Sequence, residues 1–261
     1  MNRDLDLIVQ AAREAGALAL MRKAQGLQVQ AKAGGSPVTN ADIEVDSLLK
    51  AQLGAARPDY GWLSEETADD PARLERSRLF VVDPIDGTVA YIKGKPYWTV
   101  CIAVVEDDRP VAAVVHAPEL DETFAALAGA GATLNGAAIA PSRTAAVEGM
   151  AMLGDAKMFG HPAWKQPWPP MRIETRNSIA YRICLVADGR FDAALALSAK
   201  SEWDLAAADL ISAEAGARLT DHRGGNFAYN KPVPLMRSLI SAAPDIHPLI
   251  LERVRHIDLP G

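Results

Sequence analysis

The sequence predicts a mixed α/β (α+β) fold built as two packed halves, residues 1–140 and 141–261. Three observations predict it. Helical periodicity fills the first stretch. β-rich runs with tight-turn signals occupy residues 79–139, and strand and helix patterns alternate after about Pro141. No linker composition marks the change near residue 140, so the halves are expected to pack as one unit. With 261 residues, 49% of them hydrophobic, the chain can bury a substantial core.

Residues 4–22 read as an amphipathic helix, with Leu5, Ile8, Val9, Ala12, Ala15 and Ala19 at helical spacing. A loop around Ala33-Gly34-Gly35-Ser36-Pro37 follows. Thr39 and, three residues later, Asp42 read as an N-terminal cap for a helix through about Leu53. Leu79-Phe80-Val81-Val82 reads as a buried strand. Thr99–Val105 and Val111–His116 read as strands joined by the turn Asp107-Asp108-Arg109-Pro110. Asn135-Gly136 is a hairpin signal between Ala132–Leu134 and Ala137–Ile139, and the whole block reads as an antiparallel sheet. Beyond it, Ala151–Leu153, Arg172–Glu174 and Phe191–Ala196 read as strands. Ser178–Ala187 and Leu205–Ala215 read as helices, the second stopped by Gly216. His161–Pro170, with two Trp and several Pro, reads as an irregular loop.

The net charge of −6 argues against a nucleic-acid polymer or an anionic membrane as partner, while leaving room for a local basic pocket. No run reaches the roughly 18 apolar residues of a membrane span. Arg13 and Glu14 interrupt any secretion-signal core, so a soluble cytoplasmic protein is expected. Cys101 and Cys184 lie in apolar segments and read as buried thiols, with a disulfide between them left open.

Asp83-Pro84-Ile85-Asp86-Gly87-Thr88 carries the strongest chemical signal. Two carboxylates leave the end of a strand, Pro84 stiffens the turn, and Gly87 lets the backbone approach a ligand. Carboxylates for a hard cation beside amide donors for an anion suit metal-assisted phosphate chemistry. Asp42, Glu65-Glu66 and Asp204 add further acids at element edges. Taken singly, each also has a structural reading. Asp42 serves as a cap, Glu65-Glu66 as a solvated pair, and Asp204 as an N-cap. The five His are scattered without zinc-ligand spacing, and P-loop, dinucleotide and Gly-x-Ser-x-Gly patterns are absent.

Together these segments resemble the inositol monophosphatase superfamily of Mg²⁺-dependent, lithium-sensitive phosphatases. The marks, in order, are Ser36–Asp42, Trp62–Glu66, Asp83–Thr88, Trp203–Ala208 and Glu214-Ala215-Gly216. The resemblance implies a layered αβαβα sandwich of the inositol monophosphatase and fructose-1,6-bisphosphatase type, with the site between the halves. It implies two or three Mg²⁺ ions. Glu65, Asp83 and the carbonyl of Ile85 would hold the first, and Asp83, Asp86 and Asp204 the second, with Glu65 also serving a third. It assigns phosphate binding to the amides of Gly87 and Thr88. Catalysis falls to Asp42, Glu65 and Thr88, with Asp42 and Thr88 orienting or deprotonating a water that attacks in line. Lys32 would add positive charge nearby. Homodimers are common in the superfamily, and the sequence shows no interface of its own.

The substrate is expected to be a small phosphorylated metabolite. The superfamily's polyol-binding acid, seven residues before Asp204, is replaced by Leu197, which cannot accept hydroxyl hydrogen bonds. Ser198 or Glu202 are the substitutes available nearby. Leu63-Ser64-Glu65-Glu66, the Ser36–Asp42 segment and His116-Ala117-Pro118 resemble the bacterial 3′(2′),5′-bisphosphate nucleotidases. Lys200 and Arg182 are the candidates for a second phosphate, and Ser178 for a substrate hydroxyl. Each of the two cations also reads as a solvated surface side chain. The bisphosphate nucleotidase reading ranks first and inositol-1-phosphate phosphatase second. Histidinol-phosphate phosphatase and fructose-1,6-bisphosphatase rank lower, and a catalytically weak Mg²⁺- and phosphate-binding regulator is the alternative of another class.

Overall fold

The structure is a computed structural model that describes residues 3–32, 34–162 and 164–259. Ala33 in the first expected loop and Ala163 in the Trp- and Pro-rich loop therefore lie outside the described residues. The chain opens with α1 (Arg3–Gln25), the short hairpin β1 (Val29–Ala31) and β2 (Pro37–Thr39), and α2 (Asn40–Ala56). It continues through β3 (Gly61–Ser64), β4 (Arg78–Asp86), α3 (Thr88–Ile92), β5 (Thr99–Glu106), β6 (Arg109–Ala117), β7 (Glu122–Leu127), β8 (Ala132–Leu134) and β9 (Ala137–Ala138). The remainder comprises β10 (Ala151–Leu153), α4 (Ala156–Phe159), β11 (Arg172–Glu174), α5 (Ile179–Ala187), β12 (Ala193–Ala196), β13 (Lys200–Ser201), α6 (Glu202–Ala215), β14 (Arg218–Thr220), β15 (Leu235–Met236), β16 (Leu239–Ala242) and α7 (His247–Val254).

Among the described residues a seven-stranded sheet runs in the order β3-β4-β5-β6-β7-β8-β9. From β4 to β9 it is antiparallel, as expected for residues 79–139, and β3, which precedes that block, pairs parallel to β4. The period-two pleat sorts its side chains. Phe80, Val82, Val100, Ile102 and Val104 meet Ile8, Ala12, Val45 and Leu49 of α1 and α2. Leu79, Val81, Cys101, Ala103 and Val105 meet Ile183, Leu205, Ala208 and Ile211 of α5 and α6. Both faces of β5 are thus covered, which is why it reads as one apolar run. A second sheet, β11-β10-β12-β16-β14, lies on the other side of α5 and α6. Its outer face, with Met152, Leu195 and Ile240, packs on Phe159, Ile250 and Val254. The order of layers is αβαβα, as the family resemblance implied, with one hydrophobic cluster spanning residues of both halves.

Turn chemistry agrees with geometry at two hairpins. Asn135 and Gly136 both take positive φ (50° and 84°), as a type I′ turn requires. Asp107 and Asp108 do the same, so β6 begins at Arg109, and the turn is shorter than the four residues expected. α1 sits tightly on the sheet at Gly16, where a Cβ would lie 2.6 Å from Pro118 and 2.8 Å from His116. His116-Ala117-Pro118 therefore has a packing role under α1. Cys101 and Cys184 are buried free thiols. α4, β14, β16 and α7 are additions that the sequence patterns did not reveal.

Glu214, near the end of α6, accepts the amides of Gly129 at 2.7 Å and Gly131 at 2.8 Å, clasping the β7–β8 turn. Hydrogen bonds to a charged acceptor contribute about 1.5–3 kcal/mol each in partly buried sites. Glu214→Ala is expected to lower the unfolding free energy in urea by about 1–3 kcal/mol. An unchanged transition midpoint would show that the clasp contributes nothing.

Candidate active site

β4 carries the first two acids, and an irregularity decides where they point. In a regular strand, residues three apart face opposite sides of the sheet. Here Asp83 pairs with Cys101 and Asp86 with Thr99, so β4 spends one residue more than β5 between those pairs. This one-residue bulge at Pro84-Ile85 restores parity, and Pro84 fits there because it has no N–H to donate. The strand does not end before the carboxylates, as expected, but runs through them. Both acids consequently face α5 and α6.

α6 supplies the third acid. The helix begins at Glu202 with Ser201 as N-cap, so Asp204 occupies its first turn and is not the N-cap. One oxygen of Asp204 accepts the amide of Ser201 at 2.8 Å. Asp83, Asp86 and Asp204 each offer a carboxylate oxygen, all within 4.8 Å of one another. Burial and the neighbouring carboxylates Glu65, Asp86 and Asp204 push Asp83 well above the usual carboxylate range. Burial raises Asp86 to about 6 against the opposing pull of its hydrogen bonds from Ser178, Ala180 and Ile179. Burial and the charge of Asp86 raise Asp204 to about 8. Three crowded carboxylates, all-oxygen and short of positive charge, form a donor set suited to a hard divalent cation such as Mg²⁺.

Asp42 and Thr88 adjoin this trio. Thr39 N (2.8 Å) and Thr39 Oγ1 (2.5 Å) both donate to Asp42 Oδ2, so the capping reading of Asp42 is correct for that oxygen. Oδ1 instead accepts from Thr88 Oγ1 at 3.2 Å, and Thr88 Oγ1 also reaches the carbonyl of Ile85 at 3.1 Å. Asp42 caps α2 with one oxygen and meets the Thr88 hydroxyl with the other. Burial raises its pKa, with Glu65 contributing. Gly87 adopts φ 94° and heads α3, whose first intrahelical donors are Ala90 and Tyr91, so the Gly87 and Thr88 amides precede the hydrogen-bonded turn.

Glu65 follows β3, next to β4, and its charge acts on Asp83, Asp86, Asp204 and Asp42. Lys32 Nζ bridges Glu65 and Glu66 at 2.7 Å each. The adjacent acids are thus not a solvated pair, and Lys32 is not a free loop lysine. Burial lifts Glu66 to about 7, the bond from Lys32 opposing the shift. The turn that presents Glu65 is held by Asp46, which accepts the hydroxyls of Ser64 and, at 2.6 Å, Thr67. Sequence reasoning passed over Asp46. Its signal was its place one helical turn after Asp42 on the same buried face.

The substrate-side expectations fare unevenly. Ser178, expected to meet a substrate hydroxyl, is instead fully buried and donates to Asp86 at 2.6 Å. Glu202 is likewise fully buried and accepts the amides of Asn230 and Lys231, which removes it as a polyol acceptor. Leu197 packs with the cluster around Met152, Trp164 and Ile240. Ser198 Oγ accepts Lys200 Nζ at 2.8 Å. Arg182 and Lys200 are half-buried, not solvated, and burial lowers the pKa of both. The charge of Asp86 acts on both, and Asp204 and Arg182 also act on Lys200.

The model of the inositol monophosphatase family matches residues 2–259. A histidinol-phosphatase of Mycobacterium tuberculosis is 35% identical over 233 residues, covering 85% of this chain and 88% of that protein. An inositol-1-monophosphatase of Mesorhizobium japonicum is 33% identical over 238 residues, covering 85% and 86%. A solved inositol monophosphatase from Thermotoga maritima superposes with a TM-score of 0.84 at 28% identity, covering 97% of each chain. No helix among the described residues is long and apolar enough to cross a membrane.

The raised carboxylates have a consequence for stability. Protons bind the native trio more tightly than the unfolded chain, where Asp titrates near 3.8. This contribution is fully present below that value and is lost as pH rises through about 6 and about 8. In chelator, the thermal midpoint is expected to fall between pH 5 and pH 8 more steeply for the wild type than for Asp204→Asn. Parallel profiles for the two proteins would refute the crowding.

Proposed function

The chain belongs to the inositol monophosphatase family, and from that premise we propose that it hydrolyses a 3′(2′),5′-bisphosphate nucleotide, adenosine 3′,5′-bisphosphate to AMP and phosphate. As a family member it is a phosphoric monoester hydrolase acting on small phosphorylated substrates. The observation that carries the finer reading is the cationic pair Arg182 and Lys200 within electrostatic reach of Asp86. Cations of this kind bind a second phosphate through charge-assisted hydrogen bonds. Leu197, which stands where the resemblance implies a polyol-binding acid, cannot accept a hydroxyl hydrogen bond, and this fits the same reading.

In this reading Asp83, Asp86, Asp204, Glu65 and the Ile85 carbonyl hold two or three Mg²⁺ ions. When bound, Mg²⁺ supplies charge neutralisation of the phosphoryl oxygens and of the leaving alkoxide. The Gly87 and Thr88 amides bind phosphate oxygens at the head of α3. Thr88 Oγ1 and Asp42 Oδ1 form the hydrogen-bonding pair that orients the attacking water, and Asp42 takes its proton. The raised pKa of Asp42 suits it to accept that proton better than an ordinary carboxylate. Lys32 restrains Glu65 and Glu66 and offsets their charge.

A second reading draws on the relative named histidinol-phosphatase, 35% identical over most of its length. Histidinol phosphate carries a cationic amine, which Arg182 and Lys200 oppose. The decisive assay compares kcat/KM for adenosine 3′,5′-bisphosphate, inositol-1-phosphate and histidinol phosphate with Mg²⁺. The expected preference for the bisphosphate is about 100-fold, or ~2.7 kcal/mol. Preference for either other ester overturns the nucleotidase reading, and turnover of none favours a phosphate-binding regulator. Lys200→Ala and Arg182→Ala should each raise KM for the bisphosphate at least about tenfold. Asp86→Asn is expected to abolish turnover while circular dichroism stays native, and undiminished activity would remove Asp86 from the reacting centre.

A further inference from the structure

The carboxylate of Asp86 is gripped from the C-terminal half of the chain. Ser178 Oγ donates to Oδ2 at 2.6 Å and Ala180 N to the same oxygen at 2.8 Å, while Ile179 N reaches Oδ1 at 3.2 Å. We propose that Ser178 is a positioning residue, which fixes Asp86 so that Oδ2 belongs to α5 and Oδ1 is offered to a divalent cation held with Asp83 and Asp204. The inference rests on the trio being a metal site.

Proton counting gives the grip a direction. An ionised carboxylate only accepts, so the single hydroxyl proton of Ser178 goes to Asp86. The lone pairs of Ser178 Oγ then take Tyr181 N at 2.9 Å and the Thr99 hydroxyl at 3.0 Å. Thr99 has spent its proton on Ser178, so it accepts from the Cys101 thiol at 3.3 Å. Burial holds that thiol well above its usual range, and it keeps its proton. The donor chain runs Cys101, Thr99, Ser178, Asp86, and every member is buried. Thr99 and Cys101 are the β5 residues paired with Asp86 and Asp83. The strand that registers the carboxylates therefore also orients one of them. Backbone contact locks the arrangement, since a Cβ on Gly87 would lie 2.9 Å from Ser178 N and 3.0 Å from Tyr97 O.

The chain leaves Ser178 no proton for a substrate. Its hydroxyl acts through Asp86, as outer partners of metal ligands do, where their loss typically costs 10–100-fold in metal affinity. Calorimetric titration of Mg²⁺ into the intact protein tests this. Ser178→Ala is expected to weaken Mg²⁺ binding about tenfold, Ser178→Thr to restore it to within about twofold, and Thr99→Val to weaken it several-fold. At saturating Mg²⁺ the KM of Ser178→Ala for its phosphate ester should equal that of the wild type. Unchanged Mg²⁺ affinity with a raised KM would make Ser178 a substrate contact and overturn the proposal. Equal weakening by Ala and Thr would assign the effect to packing and also overturn it. If Ser178→Ala does not fold, a folded Thr99→Val with wild-type Mg²⁺ affinity overturns it. A wild-type protein whose Mg²⁺ binding is insensitive to Asp204→Asn fails the metal reading itself, and the proposal with it. Normal wild-type binding with unaffected Ser178 variants fails the proposal alone.

Discussion

Burying several negative charges in one place is the constraint from which the rest of this structure follows. Removing a carboxylate from water costs several kcal/mol, and carboxylates near one another add repulsion. Asp83, Asp86 and Asp204 incur both penalties within 4.8 Å. The fold offsets part of the cost with oriented donors. α5 turns its N-terminal amides and the Ser178 hydroxyl onto Asp86, and the N-terminus of α6 holds Asp204. Lys32 and Lys200 supply positive charge at the periphery. The remainder is left for a ligand of opposite sign.

Much of this was legible because its cause is local. The Thr39 cap, the Asn135-Gly136 turn and the Gly216 stop each express a backbone requirement that a short segment states by itself. The apolar run of β4 and the acids after it were equally plain, and their family pattern named the layers. The bulge was hidden, although its parity argument needs only the spacing of Asp83 and Asp86 and the knowledge that both face one way.

What escaped the sequence depends on partners far along the chain. Ser178 looks available for a substrate until the strand pairing brings Thr99 and Asp86 against it. Glu202 looks like a spare acceptor until the segment at Asn230-Lys231 folds back over it. Arg182 has the look of a helix-surface cation, and only the packing of α5 between two sheets shows it half-buried. Strand β3 is short, and its parallel partnership with β4 has no signature in its own residues.

The division of the trio between β4 and α6 has a consequence for folding. Asp83 and Asp86 are neighbours in sequence, but Asp204 joins them only when the second half has docked. A cation held by all three carboxylates ties these distant segments together in the manner of a reversible cross-link. Such a cation would bind the assembled chain more tightly than the first half alone, which lacks Asp204, so mass action would draw the population toward the completed fold as cation concentration rises. A destabilised variant of this protein would then be rescued by Mg²⁺ even where the lesion lies far from the cleft.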